Sequence, residues 1–229
     1  MPVRLQYLPE PDWREFRLPP GHICLLSDDG SPLTSELAQT LTSQGWLVVV
    51  ISFSTASETL LPPEVNRIVI EDDSEAQLQQ QLETIASQYG SIAAFIHLHP
   101  QFSNSEREHN MLKRVFLLAK NLKKPLNEAA KKGDSCFFTV ASLDGELGIG
   151  GKTEFSAVTG GLFGLTKALR WEWEAVYCRA IDLSPDLDTA TSVRHIIAEL
   201  HDPNRLITEV GYSSKGRGLA MPNPYEKQY

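Results

Sequence analysis

The sequence predicts an α/β fold, a doubly wound parallel sheet with helices on both faces, built as a single domain. Three observations carry that prediction. Short apolar runs recur along the chain: HICLLS (22–27), WLVVVISF (46–53), NRIVIE (66–71), IAAFIHLH (92–99), SCFFTVAS (135–142), VYCRAIDL (176–183) and RLITEVGY (205–212). Most are apolar throughout rather than alternating, as strands buried on both faces are. Between them lie segments with apolar residues at helical spacing, and strands alternating with helices imply parallel crossovers.

Residues 1–20 hold Pro2, Pro9, Pro11, Pro19 and Pro20 and read as a lead-in. Within it VRLQYL reads as a candidate edge strand, its partner either outside this chain or within it. LTSELAQTLTSQG (33–45) is a helix closed by Gly45, and SEAQLQQQLETIASQYG (74–90) a helix opened by the cap Ser74 and closed by Gly90. A long helix from about Ser105 to Lys132 carries an apolar stripe of Leu112, Val115, Phe116, Ala119 and Leu122. Pro125 is expected to kink that helix or end its first segment. After the fifth strand, Val158, Leu162, Leu165 and Leu169 mark another helix; Gly160, Gly161 and Gly164 lie between them, where a close neighbour packs against bare backbone. TSVRHIIAELH (191–201) is the last helix. The expected organisation is a lead-in over 1–20, the domain over 21–213 and a linker or tail over 214–229.

Of the 229 residues 41% are hydrophobic, ample for a packed core. A formal net charge of −8 argues against general affinity for nucleic acid or an anionic membrane. No apolar run approaches the roughly 20 residues of a membrane span, and MPVRLQYLPEPDW lacks the apolar core of a signal peptide. Cys24, Cys136 and Cys178 each sit in a strand-like run and suit neither a disulfide framework nor a zinc site. They read as buried thiols, which fits a cytoplasmic protein. His97 and His99 alternate on one strand and so share a face, but no Cys or carboxylate stands at metal spacing. No metal site is expected.

The stretch SCFFTVASLDGELGIGGKTEFSAVTGGLFGLTKALRWEW (135–173) resembles the second half of a short-chain dehydrogenase/reductase, a Rossmann-like fold. In that family a strand ends in a catalytic Ser, and a helix then opens with Y-x-x-x-K. Ser142 stands where the family Ser is, and GLTKAL is similar to the helix that follows. At the Y-x-x-x-K position Phe155 replaces Tyr and Thr159 replaces Lys. Carbonyl reduction needs a proton donor beside the developing alkoxide and a cation to lower that donor's pKa. A phenyl ring and a threonine hydroxyl supply neither, so the resemblance implies the architecture without the catalyst.

It further implies a pyrophosphate cradle at the first strand-to-helix turn. That turn reads Ser27-Asp28-Asp29-Gly30-Ser31-Pro32-Leu33-Thr34, and Gly30 alone remains of the family's T-G-x-x-x-G-x-G. Pro32 removes an amide donor. A carboxylate about 5 Å from a phosphate costs on the order of 3 kcal/mol at an effective dielectric near 20. The plainer role for Asp28 and Asp29 is helix capping. The family's N-A-G gives way to Leu98-His99-Pro100, and Asp186 stands for a glycine in the segment Asp182-Leu183-Ser184-Pro185-Asp186.

One branch carries these losses together. GGLFGLTKALRWEWEAVYCRAIDLSPDLD resembles the structural subdomain in the ketoreductase region of modular polyketide synthases, and HICLLSDDG, FFTVASLDGELG and ELHDPNRLITEVGY are most similar to synthases of polyunsaturated fatty acids. That resemblance implies a scaffold with no enzyme activity or cofactor of its own. NADP would sit in a catalytic ketoreductase partner, in the same polypeptide or in trans. Phe163, Trp171 and Trp173 are then candidates for a docking face, or else close the core at the helix end. Lys120, Lys123, Lys124, Lys131 and Lys132 read as a solvated helix end, with docking of an acidic acyl carrier domain as the second reading. Two other readings are a free-standing divergent short-chain reductase and a regulatory pseudoenzyme that keeps nucleotide affinity.

Overall fold

The computed structural model describes residues 3–53, 59–72, 74–101, 105–151 and 156–222. Its strands are β1 (Val3–Leu8), β2 (Ile23–Ser27), β3 (Leu47–Phe53), β4 (Asn66–Ile70), β5 (Ile92–Leu98), β6 (Cys136–Ala141), β7 (Tyr177–Leu183), β8 (Glu209–Ser213) and β9 (Gly216–Pro222). Its helices are α1 (Pro32–Ser43), α2 (Glu75–Tyr89), α3 (Ser105–Ala130), α4 (Ala157–Glu172) and α5 (Thr189–Leu200). The strands form one sheet in the order β1-β9-β8-β7-β6-β5-β2-β3-β4. The pairs from β4 through to β8 are parallel, and only β9 runs antiparallel to its neighbours β8 and β1. The predicted α/β class holds, and strand order reverses between β2 and β5, where such folds open a crevice at the carboxyl ends of the strands.

Alternate residues of each central strand feed two cores. Leu25, Val49, Phe95 and Phe137 pack with Leu78 of α2, Val115 of α3 and Leu162 of α4. Leu26, Val50, Ile96 and Phe138 point the other way and pack with Leu37 of α1 and Ile196 of α5. This double burial is why the strands read as continuous apolar runs.

Both ends of the chain depart from the expected organisation. Residues 216–222 are not linker but β9, which pairs with β8 through a tight turn closed by Gly216 at φ 106°. GRGLAMP carries too little β-branched character to read as a strand; its place is set by Arg217, buried beneath α5. The edge strand β1 pairs within the chain, Val3 to Pro222 through Leu8 to Arg217, rather than with an outside partner. The lead-in also enters the core: Phe16 is buried between Trp46 and Tyr177, and Trp13 stacks on His201 at 3.6 Å.

Smaller corrections concern helices. α3 runs through Pro125 without ending, its first turn after the proline held by Leu126 and Ala129 in the core. Ser74 stands at the start of α2 but its side chain makes no capping bond. Phe116 is 54% exposed, so the stripe on α3 runs through Met111, Val115, Leu118, Ala119 and Leu122 instead. Phe116 lies about 100° around the helix from the buried Val115, which carries it off the sheet-facing side.

Four charges lie buried where β7, α5 and β9 meet. Glu199 is fully buried; it accepts from Nε of Arg217 at 2.6 Å and from the hydroxyl of Tyr212 at 2.6 Å, and it also pairs with Arg179. Asp202 takes Arg179 at 3.1 Å and Arg217. Two cations and two anions cancel, and each oxygen has a donor. Removing one member leaves an uncompensated buried charge, which costs about 3–5 kcal/mol. Glu199→Gln is therefore expected to lower the urea midpoint by an amount in that range, read as ΔG of unfolding at constant slope. A loss below about 1 kcal/mol would mean that the group is hydrated rather than sealed.

Candidate functional site

A cleft of about 390 Å³ opens at the carboxyl ends of β2, β5, β6 and β7, lined among others by Asp29, His99, Ser142, Ser184 and Ser192. This is the crevice that the topology provides. Its walls come from the turns that the sequence singles out.

The turn after β2 is organised by its two aspartates, in ways that differ from simple capping. Ser31 is the N-cap of α1 and its hydroxyl accepts from the amide of Leu33, with Pro32 in the first turn. Asp29 braces that cap, accepting from the Ser31 amide at 3.0 Å and from the Thr34 hydroxyl at 2.7 Å. Asp28 is turned inward and is 1% exposed. It accepts from the Gly30 amide, from Ser52 at the end of β3 and from Thr59, and it pairs with Arg67 of β4 at 3.2 Å. Of the two carboxylates, only Asp29 lines the cleft. The repulsion expected from a pair of free charges is thus confined to Asp29, because Arg67 neutralises Asp28.

These residues do not fit a dinucleotide. A pyrophosphate needs several free amides at the helix amino terminus, and here the Gly30, Ser31 and Leu33 amides are taken by side chains and Pro32 has none. The ion pair and hydroxyls above β2, β3 and β4 fill the polar space beside that turn from within the chain.

The described residues at the positions that the resemblance singles out make bonds within the chain. Ser142, just past β6, donates to the carbonyl of Leu183 at 2.8 Å and so ties the ends of β6 and β7 together. Thr159 is buried in the first turn of α4, its hydroxyl donating to Glu108 of α3 at 2.8 Å. Phe155 lies outside the described residues. His97 and His99 do share a face: His97 joins Ser27 at 2.8 Å to His99 at 3.2 Å, and His99 approaches Glu108 at 3.9 Å. Burial holds both imidazoles below their ordinary pKa, His99 at about 4 despite the Glu108 carboxylate, so both are neutral at pH 7. Among the described residues no group of three or more His, Cys, Asp or Glu is placed to hold a metal ion.

Sequence reading missed the carboxylates that hold the loop after Ser142. Asp182, at the end of β7 and fully buried, accepts from the amides of Leu143 and Leu147, both at 2.8 Å. Asp144 accepts from the amides of Glu146, Gly148 and Gly150. Gly145 has φ 70°, and a Cβ there would stand 2.1 Å from the carbonyl oxygen of Tyr212. The loop is therefore clamped onto β8 and cannot be rebuilt with side chains at that point. Glu146 extends the clamp to Lys215 at 2.7 Å and to Tyr7 at 3.3 Å. Burial lifts the Asp182 carboxyl to about 6 against the amides of Leu143 and Leu147, and the Asp144 charge adds to the rise. Asp144, also opposed by burial, is held below the usual range by its own three amides.

Of the candidate docking residues, Phe163 and Trp173 belong to the core; Trp173 meets Phe137 edge to face at 5.6 Å. Trp171 alone is exposed, at 84%. The lysine-rich end of α3 is partly neutralised: Lys120 pairs with Glu75, Lys123 with Glu172 and Lys131 with Glu128. No described helix is long and apolar enough to cross a membrane.

No family model and no curated protein matches the chain in sequence. Solved structures do match in shape. A short-chain dehydrogenase from Leptospira borgpetersenii with bound NAD+ superimposes with a TM-score of 0.63 at 12% identity over 85% of this chain and 91% of its own. An apo SCOR enzyme from Clostridium thermocellum gives 0.62 at 12% identity over 82% and 89%. The chain has the short-chain dehydrogenase/reductase fold. A keto acid-selecting NRPS module, solved with adenylation, ketoreductase and pseudo Asub parts, gives 0.68 at 14% identity over 95% of this chain. The chain spans 18% of that module's length.

The site makes a pH prediction. Asp182 binds its proton more tightly in the folded protein than in the unfolded chain, where an aspartate titrates near 3.9. Its contribution to stability is full below pH 4 and is lost as pH rises through about 6. The loss is on the order of 3 kcal/mol. Asp182→Asn should flatten the stability profile between pH 4 and 7 in urea titrations; an unchanged slope would show that Asp182 ionises without cost.

Proposed function

We propose that the chain is a non-catalytic structural subdomain that supports the NADPH-dependent ketoreductase half of a polyketide or fatty acid synthase. Reduction of the β-ketoacyl group then belongs to the partner half, in the same polypeptide or in trans, and NADP binds there. The observation that carries this reading is the inward turn of Asp28 onto Arg67, Ser52 and Thr59. It replaces a ligand-facing glycine turn with a self-satisfied ion pair. Two further contacts support it. The Thr159 hydroxyl is committed to Glu108 where the resembling enzymes place a cation, and the Ser142 hydroxyl is committed to Leu183. The similarity to an NRPS module that contains a ketoreductase part supports a multidomain setting for the chain.

Titration with NADPH tests the reading. A cofactor that binds the folded state raises the melting temperature with the logarithm of its excess over Kd. Millimolar NADPH is expected to leave both melting temperature and nucleotide fluorescence unchanged. A saturable shift would overturn the scaffold reading and favour a nucleotide-binding pseudoenzyme. Arg67→Ala with Asp28→Gly is expected to destabilise the protein by about 1–3 kcal/mol without creating NADPH binding, because Pro32 and the bonded Ser31 and Leu33 amides remain.

A further inference from the structure

Between β1 and β2 the chain forms no helix or strand, yet residues 9–20 lie down as a strap held at its middle by one histidine. His201, at the carboxyl end of α5, is 6% exposed and stacks on Trp13 at 3.6 Å with 15° between the ring planes. Its carbonyl accepts from the amide of Arg14 at 2.8 Å. Its Nδ1 lies 3.2 Å from the amide nitrogen of Phe16 and 3.0 Å from the carbonyl oxygen of Arg14. One ring nitrogen therefore faces a donor and an acceptor, and it serves only one of them at a time. The neutral ring protonated at Nε2 accepts from Phe16. The imidazolium carries protons on both nitrogens and donates to Arg14, which leaves the Phe16 amide without its acceptor. Phe16 is 3% exposed between Trp46 and Tyr177, where burial keeps water from replacing the lost bond.

We propose that His201 is a pH-sensitive latch on this strap: neutral, it holds Phe16 in the core, and protonated, it releases the stretch from Trp13 to Phe16. Arg17 marks the limit of the release. Its amide donates to Asp134 at 3.0 Å and its carbonyl accepts from the Asp134 amide at 2.9 Å, and neither bond involves the histidine. The charged groups around the ring come from three sides. The strap brings Arg14 and Glu15, the latter paired with Arg17 at 2.6 Å. The turn before β6 brings Asp134, which pairs with Arg14 at 3.3 Å and with Arg205 at 2.9 Å. Asp202, next along the chain, is turned to Arg179 and Arg217. Each carboxylate is thus already matched by an arginine. Burial holds the His201 ring below its ordinary pKa against the Arg14 carbonyl, Glu15 and Asp134. A histidine in the unfolded chain titrates at about 6.5. The latch therefore contributes fully above that pH, and its contribution is lost as pH falls through the folded value. Release opens the cavity of about 890 Å³ that Trp13, Phe16, Trp46 and His201 line at the amino ends of the strands, opposite to the cleft. This inference does not rest on the scaffold reading.

Amide hydrogen exchange of the full chain tests it, followed from about pH 7.5 to about pH 4.5 and corrected for the intrinsic pH dependence of exchange. Protection of the Phe16 amide is expected to fall about tenfold or more across that range, while Phe137 in β6 stays protected. The fluorescence of Trp13, taken as wild type minus Trp13→Phe, should change with the same midpoint. The imidazole proton resonances of His201 in the folded wild type should titrate at that midpoint too. His201→Gln cannot take up the proton and should hold its Phe16 protection constant with pH. His22→Gln, at a histidine that lines the same cavity but is bonded to the Pro20 carbonyl, should keep the wild-type transition. Phe16 protection that ignores pH overturns the proposal, as does a transition that survives in His201→Gln. A His201 titration whose midpoint differs from that of Phe16 overturns it without any variant. Loss of Phe137 protection together with Phe16 would show the whole chain unfolding, and no latch.

Discussion

The buried quartet of Arg179, Glu199, Asp202 and Arg217 is the interaction on which the outer half of the sheet depends. β9 has few apolar side chains, and β1 is exposed along most of its length. Hydrophobic burial alone would not hold either in place. Arg217 reaches from β9 under α5 to both carboxylates, while Arg179 enters from β7. Such a network contributes little net stability over apolar packing, since both charges must be desolvated. What it does specify is register: Arg217 fits between Glu199 and Asp202 only when β9 pairs with β8 as it does. The position of β1 follows from that, because it pairs with β9 alone.

The same logic operates at the ends of the parallel strands. In this fold the crevice belongs to ligands when the loops leave amides and cations free. Here the loops consume them. Asp28 and Asp29 hold the turn after β2, and Asp144 and Asp182 gather five amides of the loop after β6. Carboxylates placed in this way organise the loops from within the chain. The neutral His97–His99 pair belongs to the same pattern, a polar chain linking β2, β5 and α3 with His99 at the cleft wall.

The central strands and all five helices were legible, because double burial leaves unbroken apolar runs and helices keep their own period. Thr159, Pro32 and the aspartates after β2 could be singled out as well, since each stands in a local pattern. Three kinds of feature were not. β9 was hidden because its strand character is supplied by one long-range side chain. Arg67 gave no local sign of its partner, 39 positions away and two strands over. Phe163 and Trp173 looked like Trp171 in sequence, but a step of two residues from Trp171 to Trp173 passes from solvent to core.

By itself, the sequence determined the α/β class and the order of its parallel strands and helices. These follow from local periodicity. Tertiary structure alone decided which carboxylates face inward, which aromatic remains outside, and that the two chain ends close one edge of the sheet together. Those outcomes depend on contacts between residues far apart in the chain, where a charge or a glycine acquires its role only from what is placed against it.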